Sequence, residues 1–289
     1  ISARLEGKQW DGAAYLAASA AYRIGAGLVQ VALPACLHPV LAGQIPEATW
    51  LLLPHEMGVL AHSGAEILLN NLERATSLLI GPGWGLENTT TLFLKHLLDY
   101  AGTSRSKQPM GFVASSKPQM AVKPRVLPAC VIDADALKHL AKLDDWWTYL
   151  PDETILTPHP GEMSVLTGIP LPDIQINRTK IACEYAARWQ KVVVLKGALT
   201  VVADANGEYC IVPVANAALA RAGTGDVLAG IIAGLRAQGV PAYQAAYSGA
   251  WIHAQCGLLA ADLLGTSASV LAGDLLDHIP DVLHELENW

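Results

Sequence analysis

Across residues 12–34, GAAYLAASAAYRIGAGLVQVALP, alanine and leucine recur every three or four positions, which predicts a helix that Gly25 and Gly27 end. The β-rich run LVQVAL follows and is closed by Pro34. SLLIGPGWG (77–85) reads as an apolar strand entering a Gly-Pro turn, and ACVIDADAL (129–137) as a buried strand ending in acids. TILTPHPGEMSVLTG (154–168) reads as a strand, a proline-locked loop and a short helix. KVVVLKGALTVVADANGEYCIVPV (191–214) reads as a strand, a Lys-Gly turn and a hairpin, with an Asn-Gly turn in ANGE between TVVAD and EYCIV. A helix is predicted from Asp226 to about Gln238, stopped by Gly239 and Pro241. A second helix rich in small residues, AAYSGAWIHAQCGLLAADLLG, and a polar tail helix complete the chain.

Strands alternate with helices, and the strands are continuous apolar runs rather than alternating ones. Such strands belong to a mostly parallel α/β sheet covered by helices on both faces. Glycine-rich turns follow several strands, where open α/β sheets bind ligands. No internal repeat is visible. The segment 101–125 is polar and proline-dotted and reads as a surface insertion rather than a linker, so residues 1–289 are expected to form one domain.

Composition narrows the function classes. The 289 residues are 52% hydrophobic and 16% charged, enough to bury a large core, which argues against disorder. The net charge is −7 without a basic cluster, so nucleic acid and anionic membranes are not expected partners. No run approaches the roughly 20 apolar residues of a membrane span, and no signal peptide is visible. The five cysteines are scattered and form no CxxC, as in a reduced, cytoplasmic protein. His253 and Cys256, three apart on a helix, read as core packing rather than metal ligands. The first residue is Ile1 rather than Met, as in a processed or truncated product or one part of a longer protein.

The densest chemistry lies in ARAGTGDVLAG (220–230). Gly223 and Gly225 permit turns closed to other residues, and the free N–H groups that open the next helix make an anion site. Asp226 stands beside it, within reach of an attacking hydroxyl as a general base. The competing reading is a plain helix cap. Lys196 and Gly197 offer a cation and open backbone amides at a strand end, and GPGWG (81–85) is a second backbone-open turn. In DADAL (133–137) the acids are open to three roles: a metal through water, a ligand hydroxyl, or a helix cap by Asp135. In TPHPGEM (157–163) His159 is fixed between two prolines for ligand contact, and metal ligation by His159 and Glu162 is the lesser reading.

These motifs, in the order GPGWG, DADAL, TPHPGEM, LKGALTVV and AGTGDVLAGIIAGL, resemble the ADP/ATP-dependent NAD(P)H-hydrate dehydratase family, which has a ribokinase-like fold. The resemblance runs from about residue 10 to about 285, and T-P-H-P-G-E with A-G-T-G-D-V-L-A-G is specific to the family. It implies repair of NADH and NADPH whose nicotinamide ring has gained water at C6. A nucleotide phosphorylates the C6 hydroxyl, and loss of phosphate restores the dinucleotide. It also implies Mg²⁺ and ADP (or ATP) as co-substrate, ADP being favoured by the bacterial look of this alanine-rich chain, and a homo-oligomer of four or more copies. Mapped here, Asp226 is the catalytic base and a substrate contact; Gly223, Thr224 and Gly225 form the anion hole. Lys196, Gly197, Ala198, Leu199 and Thr200 form the nucleotide-binding run. His159, Gly83 and Ala13 contact the hydrated dinucleotide, and no residue is assigned to a metal.

The chain departs from the family at its start. Members begin with a basic, Gly-bearing segment and an apolar strand ending in Gly-Ser, whereas here ISARLEGKQWDGAA has Lys8 near that end. The insertion 101–125 is also longer than expected. Two alternatives compete: a kinase of the same superfamily acting on a hydroxymethylpyrimidine, a thiazole alcohol or a sugar, and a non-catalytic nucleotide-binding domain or fusion partner of an epimerase. The His-Pro-Gly-Glu loop and DADAL argue against the first, and an intact Asp226 argues against a non-catalytic domain, while the start at Ile1 keeps a fusion open.

Overall fold

The structure is a computed structural model that describes residues 11–102 and 126–288. The departures at residues 1–10 and nearly all of the insertion expected at 101–125 lie outside the described residues. In chain order the first half contains α1 (Asp11–Arg23), β1 (Gln30–Pro34), α2 (His38–Leu41), β2 (Thr49–Leu53), β3 (His55–Glu56), β4 (Val59–Leu60), α3 (Gly64–Asn70), β5 (Ser77–Ile80) and α4 (Asn88–Gly102). The middle contains β6 (Ala129–Ile132), α5 (Asp135–Leu140), β7 (Ile155–Leu156), α6 (Pro160–Thr167), α7 (Leu171–Ile176), α8 (Arg178–Trp189), β8 (Val192–Leu195), β9 (Val201–Ala203) and β10 (Tyr209–Ile211). The last part is helical: α9 (Thr224–Ala237), α10 (Ala242–Leu263), α11 (Ala272–Asp277) and α12 (Ile279–Glu287).

The main sheet has the order β10-β9-β8-β7-β6-β5. β5 to β8 are mutually parallel, and the hairpin β9–β10 adds two antiparallel strands. Successive residues of the parallel strands point to opposite faces, and both faces are covered. Ile80, Ile132, Leu156 and Val193 join a core under α4 to α8. Their neighbours Leu79, Val131, Ile155 and Val194 join a second core under α9 and α10. A strand buried on both faces has no polar positions to spare, which is why these segments read as unbroken apolar runs. Each such side chain contributes about 1.5–3 kcal/mol on leaving water.

A separate parallel pair, β1–β2, stands beside this sheet, with its own core against α1. The chain pattern identified β1 but not β2, β3 or β4, which are short or half-exposed. The expected Asn-Gly turn stands between β9 and β10, framed by the Asp204 carboxylate, which accepts from the amides of Asn206 and Glu208, with Gly207 at φ +91°. One expectation needs correction. The tail is two short helices, not one polar one, and it is docked through Leu275, Leu276, Ile279 and Val282.

The glycines of α9 explain where its head sits. A Cβ on Gly230 would lie 2.3 Å from the carbonyl oxygen of Ala17, and one on Gly234 would lie 2.2 Å from Ile24 Cγ2. Only glycine at these positions lets α9 press against the alanine face of α1. That contact brings the N-terminus of α9 over the C-terminal ends of β6, β7 and β8.

Candidate active site

Three strand ends and one helix head meet here. Asp133 follows β6, Thr157 follows β7 and Lys196 follows β8. Gly223 precedes α9 at φ +89°, and a Cβ there would meet Leu16 Cδ1 at 2.6 Å, so both space and backbone demand glycine. Gly225 faces inward, where an added Cβ would meet only the Lys196 ammonium, at 3.5 Å. The Thr224 hydroxyl lies 2.8 Å from the carbonyls of Leu219 and Arg221, and the Thr224 amide donates to the Arg221 carbonyl at 3.3 Å, so Thr224 braces the turn at the head of α9.

Asp226 lies in the first turn of α9 but caps nothing: Gly223 occupies the cap position and the cap has no side-chain hydrogen bond. Its carboxyl is pushed up to about 7, chiefly by burial and then by the charge of Asp133, with Lys196 pulling the other way. Below it is a buried polar bracket. The Lys196 ammonium donates to Asp133 Oδ1 at 2.5 Å, the Thr157 hydroxyl donates to the same oxygen at 2.6 Å, and Glu162 Oε2 is 3.9 Å from Lys196. Burial disfavours the charged ammonium, yet Asp133 and Glu162 outweigh it, and the Lys196 pKa is raised. Burial likewise lifts the Glu162 carboxyl to about 7.

His159 is the N-cap of α6. Its Nδ1 accepts from the amides of Gly161 and Glu162, while the Glu162 carboxylate accepts from the His159 amide. The loop is therefore locked by a reciprocal cap, and His159 is half-exposed with Nε2 3.3 Å from Glu162 Oε1. The GPGWG turn reaches the site from the β5 side. Gly81 packs on the Asp133 carbonyl, too close for any side chain. Gly83 is a buried backbone position at φ +73°. The turn is tied to α5 by the Gly85 amide, which donates to Asp135, and by His139 Nε2, which donates to the Gly85 carbonyl. Asp135 thus braces this turn instead of capping α5, whose cap residue is Ala134.

A cleft of about 420 Å³ opens beside the helix head, with Lys196, Ala198, Thr200, Asn216, Thr224 and His253 among its walls. Gly197 and Gly225 line it too. Leu199 does not; it is exposed and held at φ +57°. Ala13 lies one turn before Leu16 on α1, buried near the head of α9 rather than in the cleft.

One contributor, Arg178, escaped the sequence reading, and another, His253, was expected only as core packing. Arg178 opens α8 and donates to the carbonyls of Leu195 and Lys196, pinning the Lys-Gly turn from behind. Buried His253 donates from Nε2 to the Thr224 carbonyl, and burial lowers its pKa to about 4, so it is a neutral strut for the helix head. That contact removes the His253–Cys256 metal reading. Among the described residues no group of three His, Cys, Asp or Glu is arranged to hold a metal. Asp133 Oδ1 is engaged by Lys196 and Thr157, and Glu162 Oε2 by the His159 amide.

The sequence profile of the NAD(P)H-hydrate dehydratase family matches residues 5–103 and 114–281, across every element of this site. The chain belongs to that family. It is 40% identical over 277 residues to the bifunctional NAD(P)H-hydrate repair enzyme Nnr of Moorella thermoacetica, covering 96% of this chain and 47% of that protein. It is 30% identical over 275 residues to the ADP-dependent (S)-NAD(P)H-hydrate dehydratase of Xanthomonas campestris, covering 95% of this chain and 84% of that one. The chain spans about half the length of several curated relatives it matches, all named as bifunctional. Among solved structures, the ADP/ATP-dependent NAD(P)H-hydrate dehydratase of Bacillus subtilis, co-crystallised with ATP/Mg²⁺, superposes with a TM-score of 0.76 at 28% identity, covering 99% of this chain and 87% of that one. A hydroxyethylthiazole kinase from Pyrococcus horikoshii shares the fold alone, at 16% identity and a TM-score of 0.59. The ribokinase-like fold expected from the sequence is therefore the fold of this family member. No helix among the described residues is long and apolar enough to cross a membrane.

Proposed function

We propose that this chain dehydrates hydrated NADH or NADPH back to the intact dinucleotide, using ADP in preference to ATP and releasing AMP and phosphate. The observation that carries this reading is the Asp226 carboxyl at the glycine-flanked head of α9, with the Lys196 ammonium beneath Gly225. The ionised Asp226 takes the proton of the C6 hydroxyl as its oxygen attacks the terminal phosphorus of the nucleotide. The bond from that phosphorus to the bridging oxygen breaks, and the electron pair leaves with AMP. Opening amides of α9, with Gly223, Thr224 and Gly225, hold the negative charge spread over the moving phosphoryl group, and Lys196 supplies the cation. Phosphate is a far better leaving group than hydroxide. The C6–O bond then breaks with help from the ring nitrogen lone pair, and loss of a proton from C5 restores the ring.

The 420 Å³ cleft suits the nucleoside, bounded by Gly197, Ala198 and Thr200 of the Lys-Gly turn. Leu199 contributes through its backbone only. Mg²⁺ would arrive with the nucleotide phosphates and offset their charge. His159, Gly83 and Ala13 border the dinucleotide, on the side of the helix head facing β5 and α1. The chain would act as one ribokinase-like domain, as a homo-oligomer, in the cytoplasm, where five cysteines outside any disulfide are at home. The alternative of a vitamin-precursor or sugar kinase has only fold-level similarity behind it.

The test is to incubate the chain with hydrated NADH, ADP and Mg²⁺ and follow return of the reduced-nicotinamide absorbance, with AMP and phosphate measured in parallel. Recovery with stoichiometric AMP is expected. Absence of recovery with both ADP and ATP would sink the reading, and a stable phosphorylated alcohol product would favour the kinase.

A further inference from the structure

Asp133 is 1% exposed, and its Oδ1 accepts from two further strand ends: from Thr157 after β7 and from Lys196 after β8. Its backbone is fixed from a third, because its amide donates to the Ile80 carbonyl of β5 and its own carbonyl presses on Gly81. One residue therefore spans the C-terminal ends of four adjacent strands, β5 to β8. The cation it holds lies directly beneath Gly225. Three carboxyls face Lys196: Asp133, Glu162 and Asp226. A phosphate entering above an excess of acids needs that ammonium in a fixed place.

We propose that Asp133 is a positioning residue that holds the Lys196 ammonium beneath the glycine cradle of α9, so that nucleotide phosphate binds there. This inference rests on the nucleotide site proposed above. The Lys side chain is long and its rotamers many, so a free ammonium would spread over Glu162, Asp226 and solvent. Anchoring by a buried, doubly bonded carboxylate concentrates it at one point. The same carboxylate without its lysine is an uncompensated buried charge, which repels an incoming phosphate.

Those two roles have opposite signs, and a double-mutant cycle separates them. ADP affinity is measured by calorimetry on the full chain for wild type, Asp133→Asn, Lys196→Met and the double variant, each with and without Mg²⁺. Asp133→Asn alone is expected to weaken ADP about 5–20-fold, and in the Lys196→Met background to tighten it about 3-fold. Equal effects in both backgrounds, or no effect in either, overturn the proposal. So does an Asp133→Asn effect that vanishes without Mg²⁺, since it would then act on the metal and not on the lysine. A wild type that does not bind ADP overturns the nucleotide site itself and this inference with it. Wild-type binding with an additive cycle overturns the inference alone. Should Asp133→Asn fail to fold, Thr157→Val loosens the same carboxylate with little change of volume. It should weaken ADP about 2–5-fold when Lys196 is present and not when it is Met. An equal loss in both backgrounds overturns the proposal.

Discussion

Two clefts among the described residues differ in kind. The one at the head of α9 holds about 420 Å³ and has Lys196, ion-paired to buried Asp133, in its wall. The other, between β1 and β5, holds about 690 Å³ and is lined largely by apolar side chains such as Leu53, Leu79, Trp84 and Phe93. The larger cleft collects no cluster of titratable side chains with shifted pKa among the described residues. The smaller one has Lys196 in its wall, and beside that lysine lie Asp226 and Glu162, two carboxyls that burial pushes up. The difference teaches that size is the wrong criterion for a site. Burying unlike charges together costs stability, and a fold keeps such a cluster where chemistry uses it.

The comparison breaks first at Asp226. Asp226→Asn should lower turnover about 10²–10⁴-fold while nucleotide affinity, measured separately, is retained. Near-normal turnover would remove Asp226 as the base. Next comes the glycine cradle. Gly223→Ala places a Cβ 2.6 Å from Leu16 Cδ1 at a positive φ. It should cost about 1–3 kcal/mol in denaturant unfolding and weaken ADP in calorimetry.

The pH dependence sharpens the contrast. Asp226 acts as a base only when ionised, so kcat/KM should rise as pH climbs through about 7. Lys196→Met should move that limb upward, because the lysine lowers the Asp226 pKa. For stability the sign is reversed. A folded-state pKa above the unfolded carboxylate value means the folded chain binds the extra proton, so this contribution is lost as pH rises toward and past 7. Asp226→Asn should therefore stabilise the fold above pH 7, by about 1–2 kcal/mol in urea titrations, and have little effect near pH 4. The smallest effect belongs to the larger cleft. Ser77 lines it, and its hydroxyl is buried without a partner. Ser77→Ala should leave turnover unchanged and shift stability by no more than about 1 kcal/mol, in the stabilising direction.

Local chemistry made much of this legible in advance. Continuous apolar runs marked β5, β6 and β8 because strands covered on both faces have no polar positions, and the glycines marked turns that other residues cannot make. Gly223 and Asp226 were identifiable because the run of glycines around an acid at a helix start is itself a local signal, although their contacts are distant. Arg178 and His253 were not. Arg178 acts on carbonyls 17 and 18 residues away, and His253 on one 29 away; nothing in ordinary helical residues announces such a partner. His159 was legible as a rigid position, but its role as cap of α6 depends on where its own ring nitrogen turns.

By itself, then, the order of residues determined the layered α/β plan, the backbone freedom at the head of α9 and the presence of an acid beside it. These follow from burial periodicity and from steric limits that act residue by residue. Tertiary structure decided that Asp226 is free of capping duty, that Lys196 is held by Asp133 and that the carboxyls of Glu162 and Asp226 are pushed up to about 7. The physical reason is that a pKa is set by the solvent excluded and the charges gathered around a group. Here those charges come from the ends of β6 and β8 and from the heads of α6 and α9, which meet only once the chain has folded.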